Sequence, residues 1–559
     1  MATTKLILDH VYDHEAAHPD KVFLTQPIGG GQVTDYTWAK TLDQARRMAA
    51  HLKSRGFEPG ARIAMLSKNC AHFFMTELAI WMAGYTTVAI FPTETGETVR
   101  YVLEHSEASL LFVGKLDIWP QQAPSIPAGL PCIAFPLAPK TEFETWDAIV
   151  ARTPPLAGRP ARKEDDLAML IYTSGSTGQP KGAMVSFGAI TRAGEGFANY
   201  TRSVIGTATE GRILSYLPLA HSYERSCVEA ASLIDGSMHL FFAESLDTFI
   251  ADLNRARPTL FISVPRLWLK FQQGVFAKMP PKKLDRLLGI PILGRIVARK
   301  VLKGLGLDQV RLAASGSAPI PAELITWYRR LGLNLYEGYG MTEDNSYSHS
   351  STAQFNAPGY VGVPQVGVQV RISPEGEVLI KSPGQFSGYY KQPELTAASF
   401  TEDGFFRTGD LGERRADGLL KITGRAQELF KTAKGKYVAP APIENELNAH
   451  AMVELSMVSG VGQPSAYAMV VLAESLRPKI GDAAVRAQVQ TELGQLLQSV
   501  NQHHPDYAQL RMIVVAREPW AIENGCLTPT MKIKRARIEA SVAPLVEGWY
   551  AAQGKVLWA

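Results

Sequence analysis

The stretch that decides the fold is Ile171-Tyr-Thr-Ser-Gly-Ser-Thr-Gly-Gln-Pro-Lys-Gly182. It places four hydroxyl side chains around two glycines, and Lys181 follows closely. Glycines let backbone N–H groups turn toward a ligand, hydroxyls donate further hydrogen bonds, and lysine supplies a positive charge. The apolar run of residues 167–171 predicts a strand that carries this loop to a sheet edge. The stretch therefore suits a polyphosphate, and an ordinary Ser/Gly loop is the alternative for this segment taken alone.

The spacing of this loop differs from that of a Walker P-loop. Gly175 is followed five positions later by Pro180, where the Walker pattern requires a Gly-Lys pair. This difference disfavours a phosphotransferase of the P-loop class.

Length and composition describe an ordinary globular protein with more than one domain. The chain has 559 residues, of which 46% are apolar and 20% are charged, and this length exceeds what one hydrophobic core serves. The formal net charge of +4 is small for this length, so a general nucleic-acid binder is not expected. Four separated cysteines without metal-ligand spacing, and no secretion signal in residues 1–15, indicate a reduced, cytoplasmic setting without structural zinc.

The longest apolar run, residues 73–91, raises the question of a membrane span. Glu77 interrupts the run, and Gly84 separates a helical half from a Thr-Thr-Val-Ala-Ile half that is typical of a strand. A spanning helix needs about 20 apolar residues with few charges. The run therefore predicts a buried helix, a turn and a strand.

Short apolar runs alternate with helical patterns from about residue 20 to residue 420, which indicates βαβ units and mostly parallel sheets. Past residue 360 the pattern changes to short hairpins. The last 135 residues or so have their own helices, predicted over Pro442 to His450 and Ala483 to His503, and their own strands, enough for a small α+β domain. We predict a large domain over 1–423 and a small mobile domain over 424–559, with Gly424 as a hinge or as a plain hairpin end.

Four motifs downstream of the loop carry further chemistry. They are Tyr336-Glu-Gly-Tyr-Gly-Met-Thr-Glu343, Phe405-Phe-Arg-Thr-Gly-Asp410, Ile422-Thr-Gly-Arg425 and Leu527-Thr-Pro-Thr-Met-Lys-Ile-Lys-Arg535. Glu343 suits a metal-bound phosphate, and Asp410 can accept from both ribose hydroxyls. Arg425 suits a phosphate or a ribose, and the last motif is a basic loop.

In this order and spacing the motifs resemble the adenylate-forming (AMP-binding) superfamily. The runs Leu217-Pro-Leu-Ala-His-Ser-Tyr-Glu-Arg225 and Phe430-Lys-Thr-Ala-Lys-Gly-Lys-Tyr-Val-Ala-Pro440 are similar to those of long-chain fatty acyl-CoA synthetases. The resemblance implies an α/β fold: a large N-terminal domain with mostly parallel sheets and a small β-rich subdomain, followed by the mobile α+β domain. It also implies ATP, Mg²⁺ and coenzyme A, with a fatty acid activated to its acyl-adenylate and passed to the CoA thiol.

The resemblance also implies roles for individual residues. The phosphates of ATP are assigned to Thr173, Ser174, Gly175, Ser176, Thr177, Gly178 and Lys181, and the adenine side to Ser315, Gly316, Ser317, Glu337, Gly338 and Tyr339. Thr342 is assigned to the α-phosphate, Glu343 to the magnesium ion, and Asp410, with Arg425 beside it, to the ribose.

Two further residues have roles implied by the resemblance. Lys532 is the mobile lysine that reaches the α-phosphate and the substrate carboxylate, whereas its neighbour Lys534 is interpreted as solvated. His221 is placed near the acyl carboxylate, with a packing or gating role as the preferred alternative. The acyl pocket is expected along residues 222–229 and 261–268.

Several alternatives stay open at this point. The acyl group could pass to a carrier-protein thiol, the acid could be aromatic, or the chain could be a nucleotide-binding regulator that has lost catalysis. Residues 295–305 form a basic amphipathic pattern that permits peripheral contact with an anionic membrane, and packing of this helix on its own core is the alternative. A homodimer is also left open.

Overall fold

The computed structural model describes residues 5–173 and 179–559. The predicted phosphate-loop residues 174–178 lie outside the described residues.

The strands of the described chain run in this order: β1 (Val22–Gly29), β2 (Gln32–Thr37), β3 (Arg62–Leu66), β4 (Thr86–Ile90), β5 (Ala108–Val113), β6 (Cys132–Ala134), β7 (Glu144–Thr145), β8 (Leu167–Thr173), β9 (Lys181–Ser186), β10 (Gly211–Ser215), β11 (Met238–Phe242), β12 (Leu260–Ser263), β13 (Leu312–Ser315), β14 (Leu335–Tyr339), β15 (His349–Ser350), β16 (Val363–Pro364), β17 (Gln369–Ile372), β18 (Glu377–Lys381), β19 (Gly388–Tyr389), β20 (Phe406–Arg414), β21 (Leu420–Arg425), β22 (Phe430–Lys431), β23 (Tyr437–Val438), β24 (Val453–Ser459), β25 (Ala466–Leu472), β26 (Leu510–Val515) and β27 (Val556–Trp558).

The α-helices are α1 (Ile7–Ala17), α2 (Trp38–Ser54), α3 (Ala71–Ala83), α4 (Gly96–His105), α5 (Trp119–Gln122), α6 (Trp146–Arg152), α7 (Phe187–Ile205), α8 (Ser222–Glu224), α9 (Ala231–Asp235), α10 (Phe249–Ala256), α11 (Pro265–Lys278), α12 (Pro281–Leu288), α13 (Leu293–Gly304), α14 (Ala322–Arg330), α15 (Pro393–Ala398), α16 (Pro440–Asn448), α17 (Ala483–His503) and α18 (Arg535–Ala551).

Three sheets with parallel pairings form the frame of the large domain. The eight-stranded sheet has the order β19-β9-β8-β4-β3-β5-β6-β7, with β9 and β19 antiparallel to their neighbours. The second sheet has the order β10-β11-β1-β2, and the third has the order β12-β13-β14-β15-β16. Helices cover these sheets, so both faces of the parallel strands are buried, as βαβ units require.

The remaining sheets match the change of pattern past residue 360. Strands β17, β18, β20 and β21 form an antiparallel sheet, and β24, β25, β26 and β27 form a mixed sheet between two apolar clusters in the last part of the chain. The predicted fold class is therefore confirmed. The boundary at 423/424 stays a prediction, and residues 424 and 425 still pair with β20 of the large domain.

The apolar run of residues 73–91 folds as predicted. Helix α3 is buried along its whole length, Gly84 ends it in the left-handed region with φ of 90°, and β4 follows. Helix α2 shows the simpler amphipathic case, because Thr37 caps its N-terminus and its apolar stripe is buried. Among the described residues, no helix combines the length and the apolar character that crossing a bilayer requires.

Candidate functional site

The predicted phosphate loop begins and ends on two neighbouring antiparallel strands. Thr173 at the end of β8 lies opposite Lys181 at the start of β9. The Lys181 ammonium lies 5.6 Å from the centre of the Tyr389 ring, and the Tyr389 hydroxyl donates a 2.7 Å hydrogen bond to Glu343 Oε1. One tyrosine thus stands between the lysine assigned to phosphate and the carboxylate assigned to magnesium.

The residues assigned to the adenine side come from two adjacent parallel strands. Ser315 on β13 and Glu337 on β14 are in register, so residues 315–317 and 337–339 lie side by side at the carboxyl ends of these strands. Such an edge is where open α/β sheets bind ligands. A Cβ at Gly316 would come within 2.9 Å of Cζ of Tyr223, so the glycine allows this close approach.

Asp410 is held in one orientation by two donors. Arg425 lies opposite it on β21 and donates from Nε to Oδ1 at 2.8 Å, while the Tyr339 hydroxyl donates to Oδ2 at 2.7 Å. Each carboxylate oxygen has two lone pairs. Asp410 therefore retains capacity to accept one more hydrogen bond on each oxygen, as binding of two ribose hydroxyls would require.

Thr342 and His221 meet at the start of helix α8. The Thr342 hydroxyl lies 3.4 Å from the hydroxyl of Ser222. His221 caps the helix, and its Nδ1 accepts from the Tyr223 backbone N–H at 3.1 Å. Burial, with a smaller contribution from Lys532, lowers the pKa of His221 to about 3. The ring is therefore neutral, and because Nδ1 is an acceptor its proton lies on Nε2, where it can be donated.

Lys532 belongs to the small domain but faces the large one. Its backbone N–H donates to Thr528 Oγ1 at 3.1 Å, and its carbonyl accepts from the Thr528 N–H at 2.8 Å, so residues 528–532 form a closed loop. Lys532 is exposed to solvent, although many protein atoms lie near its ammonium group. This confinement and Arg425 lower the pKa of Lys532, whereas Asp410 and Glu343 act to raise it.

One ion pair and one longer-range electrostatic interaction also link the two domains in this pose. Arg266 of the large domain pairs with Glu454 of the small domain. Lys534 is exposed, as predicted, and also lies within electrostatic range of Glu94. Burial raises the pKa of Glu94 to about 7, and Lys534 acts in the opposite direction.

The structure thus brings together most of the predicted site residues that it describes. Glu343, Asp410, Arg425 and His221 each lie within electrostatic range of Lys532. Lys181 is linked to Glu343 through Tyr389, and Thr342 contacts Ser222, the residue that follows His221. Sequence reasoning missed Tyr389, which follows Gly388 in a two-residue strand and carries no motif of its own. The pairing of β19 with β9, far apart in sequence, puts it beside Lys181.

Glu337, which is assigned to the adenine side, is a buried carboxyl group whose pKa is raised. It is buried, its Oε2 has no hydrogen-bond partner among the described residues, and burial raises its pKa to about 8. The folded state therefore holds a proton that an ordinary glutamate loses near pH 4.5. The contribution of this proton binding to the free energy of unfolding is complete below pH 4.5 and is lost as the pH rises through about 8.

Between about pH 5.5 and 7.5 the free energy of unfolding of the parent should fall as the pH rises, because Glu337 is protonated only in the folded state. We expect Glu337→Gln to reduce this fall by up to about 1.4 kcal/mol per pH unit. Glutamine keeps the shape and cannot ionise. Urea unfolding of the parent and the variant at both pH values measures the difference, and Glu323→Gln, at an exposed position on α14, is the control. Equal pH slopes for Glu337→Gln and the parent would show that this carboxyl is already ionised in the folded protein.

Comparison with known protein families identifies the class of protein to which this chain belongs. Residues 11–390 match the model of the AMP-binding enzymes, and residues 428–554 match the AMP-binding enzyme C-terminal domain. The chain belongs to the AMP-binding enzyme family, and within it to the AMP-forming acyl-CoA ligases.

The relatives agree with this assignment. The chain is 30% identical to long-chain-fatty-acid–CoA ligase FadD15 of Mycobacterium tuberculosis, over 97% of this chain and 96% of that protein. It is 27% identical to long-chain-fatty-acid–CoA ligase 1 of Homo sapiens, over 89% of this chain and 80% of that protein. The A domain of a carboxylic acid reductase from Segniliparus rugosus, solved with AMP and a carboxylic acid, superposes with a TM-score of 0.80 at 23% identity, over 98% of this chain and 94% of that chain. This last likeness shows the shared fold.

Proposed function

We propose that the protein activates a fatty acid with ATP and transfers the acyl group to coenzyme A. In the first step a carboxylate oxygen of the acid bonds to the α-phosphorus, and the bond from that phosphorus to pyrophosphate breaks. In the second step the thiolate sulfur of CoA bonds to the acyl carbon, and AMP leaves. The observation that carries the proposal is the position of Lys532, within electrostatic range of Glu343, Asp410 and His221.

The first step needs charge neutralisation, because a carboxylate approaches a polyphosphate. No general base is required, since the acid is ionised at neutral pH. Lys181 and Lys532 supply positive charge from two sides of the cleft, and positioned charges of this kind are the main source of rate enhancement in such reactions. The Nε2 proton of His221 is the donor that we assign to the carboxylate of the acid.

The residues fit one bound magnesium ion. Mg²⁺ usually takes one or two protein carboxylates together with substrate phosphates. Glu343 suits this role, because Tyr389 fixes its Oε1 while Oε2 has no hydrogen bond or ion pair with the described residues. The described residues contain no group of three or more potential ligands, which agrees with an ion held mainly through ATP. When bound, the ion would offset phosphate charge.

The ribose and adenine assignments rest on the same geometry. Asp410 is oriented by Arg425 and Tyr339 and keeps free lone pairs for the ribose. The edge formed by residues 315–317 and 337–339 provides a wall for the base. We assign the α-phosphate to the space between Thr342 and Lys532.

A product assay tests the proposed function. With Mg·ATP, CoA and fatty acids of graded chain length, we expect acyl-CoA, AMP and pyrophosphate, and without CoA we expect the bound acyl-adenylate. Formation of ADP and inorganic phosphate would contradict the proposal. Aromatic acids and a phosphopantetheinylated carrier protein, run in parallel, test the other acid class and the other acceptor. ATP binding without turnover of any acid would indicate the regulatory alternative.

A further inference from the structure

Helices α12 and α13 form a hairpin whose turn exposes large apolar side chains. The side chains at the turn and on the first helical turn of α13 are exposed by 46% at Ile290, 75% at Ile292, 40% at Leu293 and 55% at Ile296. Isolated exposed apolar residues are normal, whereas a cluster of them commonly marks an interaction site. We name residues 289–296 the apolar tip.

The backbone of the apolar tip is strained in a way that exposes its central side chain. Ile292 has φ of 70° and ψ of −58°, and the Leu293 N–H donates to the Pro291 carbonyl at 2.8 Å. This is a γ-turn with positive φ, which is rare and unfavourable for a β-branched residue. Glycine would relieve the strain, so the isoleucine is not explained by folding. Such strain is found mainly at functional sites.

Basic side chains surround the apolar tip. Seven exposed cations lie on the two helices: Lys282, Lys283, Arg286, Arg295, Arg299, Lys300 and Lys303. One acidic residue, Asp285, lies among them, and it pairs with Arg330. In the described part of the chain, no ion pair is formed by any of the seven cations. The hairpin therefore presents uncompensated positive charge around an apolar centre.

The structure changes the expectation for residues 295–305. The apolar side of the amphipathic pattern in residues 295–305, which includes Val301, Leu302 and Leu305, packs on the core cluster around Phe261 and Trp268. This apolar side is therefore covered by the protein, as the packing alternative held, and it is not free to enter a bilayer. The free apolar surface lies at the tip, on the side away from that core.

We propose that the apolar tip and its basic surround dock the protein on the surface of an anionic lipid bilayer. Apolar side chains that enter the headgroup region, flanked by lysine and arginine, are the usual composition of such a contact. An open depression of about 320 Å³ beside the tip is lined by Leu288, Ile290, Ile292 and Arg295, which suits an acyl segment next to a phosphate. The same hairpin packs on Phe261 and Trp268, where we expect the acyl pocket.

Vesicle co-sedimentation tests the proposal with the full-length protein. We expect binding to phosphatidylcholine vesicles that contain phosphatidylglycerol, and little binding to phosphatidylcholine alone. The double variant Ile292→Ser/Ile296→Ser should lower the partition coefficient at least about tenfold. Arg295→Glu/Arg299→Glu should lower it by about thirtyfold or more, since each basic residue contributes about fivefold at low salt.

Two control variants separate binding from folding. Ile292→Gly should lose affinity for vesicles while its melting temperature stays equal to the parent's or rises, because glycine relieves the strained turn. Leu246→Ser removes an apolar side chain that is 92% exposed elsewhere on the surface and should bind vesicles like the parent. All variants should keep activity on a short, soluble acid.

Three outcomes would overturn the proposal. Equal sedimentation of the parent and both double variants would show that the tip does not contact lipid. Equal binding to neutral and anionic vesicles would remove the role of the basic surround. Concentration-dependent self-association of the parent that Ile292→Ser abolishes, without binding to vesicles, would assign the tip to contact between copies of this chain.

Discussion

Lys532→Ala is expected to slow pyrophosphate release from fatty acid and ATP by about 10²- to 10³-fold, equivalent to about 2.7–4 kcal/mol, as for the loss of one group that stabilises charge in a transition state. The physical reason is the charge that develops between the acid and the α-phosphate. In this pose the lysine lies within electrostatic range of Glu343 and Asp410 in the large domain. Rapid-quench assays without CoA measure this step directly.

The same variant should leave the second step near the parent rate. In the two-pose mechanism that we propose, the small domain turns away after the adenylate has formed, so that CoA can enter, and Lys532 leaves with it. Synthetic acyl-adenylate with CoA should therefore give thioester at close to the parent rate. Lys534→Ala is the matched control, since this neighbouring lysine is exposed and lies within electrostatic range of Glu94, and it should change either step little. Comparable losses in both steps for Lys532→Ala would contradict the two-pose mechanism.

Asp410→Ala is expected to raise the KM for ATP by more than tenfold. Two hydrogen bonds from the ribose to a charged acceptor would be lost, each of about 1.5–3 kcal/mol before water compensates. The variant also releases Arg425 and Tyr339 from their shared acceptor. Initial rates over an ATP titration, with the fatty acid held at saturation, measure the effect.

Two variants distinguish the proposed contact of Asp410 with the ribose from the hydrogen bonds that orient Asp410. Asp410→Asn keeps the size and one acceptor oxygen, and should fall between the parent and the alanine variant. Tyr339→Phe removes one donor to Asp410 and leaves the carboxylate, so it should raise KM less. An ATP dependence equal to the parent's for Asp410→Ala would mean that this carboxylate does not contact the nucleotide.

The parts of the fold that were predictable from sequence are those in which local signals agree. In residues 71–90 a continuous apolar run, a glycine and a β-branched run predict helix, turn and strand, and all three are present. Helix α17 was predicted with the bounds that the structure has. Helix α16 begins at Pro440, two positions before the predicted start, since proline fits the first turn of a helix.

Contacts between distant segments were not predictable from one sequence. Residues 222–229 were expected to line an acyl pocket, yet they include Arg225, whose fully buried guanidinium pairs with Glu77 and Glu229. Burial raises the pKa of Glu229 well above its ordinary value, with Glu77 contributing in the same direction. A charged residue in a helical pattern predicts a solvated position, and its burial depends on a partner from helix α3.

The residues of the candidate site were predicted from sequence motifs, whereas the contacts that hold these residues in place were not. Glu343, Asp410, Arg425 and Lys532 were each identified from a short pattern, and the structure brings them into one cleft. The link through Tyr389 depends on a strand pairing that has no local signature.

The closed loop that carries Lys532 has a consequence for the free-energy cost of the domain rotation that we propose. Its two hydrogen bonds run between Thr528 and Lys532 themselves and involve no atom of the large domain. Withdrawal of the lysine therefore leaves the loop conformation intact, and its return requires no new ordering of the backbone, which would otherwise cost about 1–2 kcal/mol per residue. In the proposed two-pose mechanism, the conformational entropy of this loop is therefore lost once, when the small domain folds, and not again in every catalytic cycle.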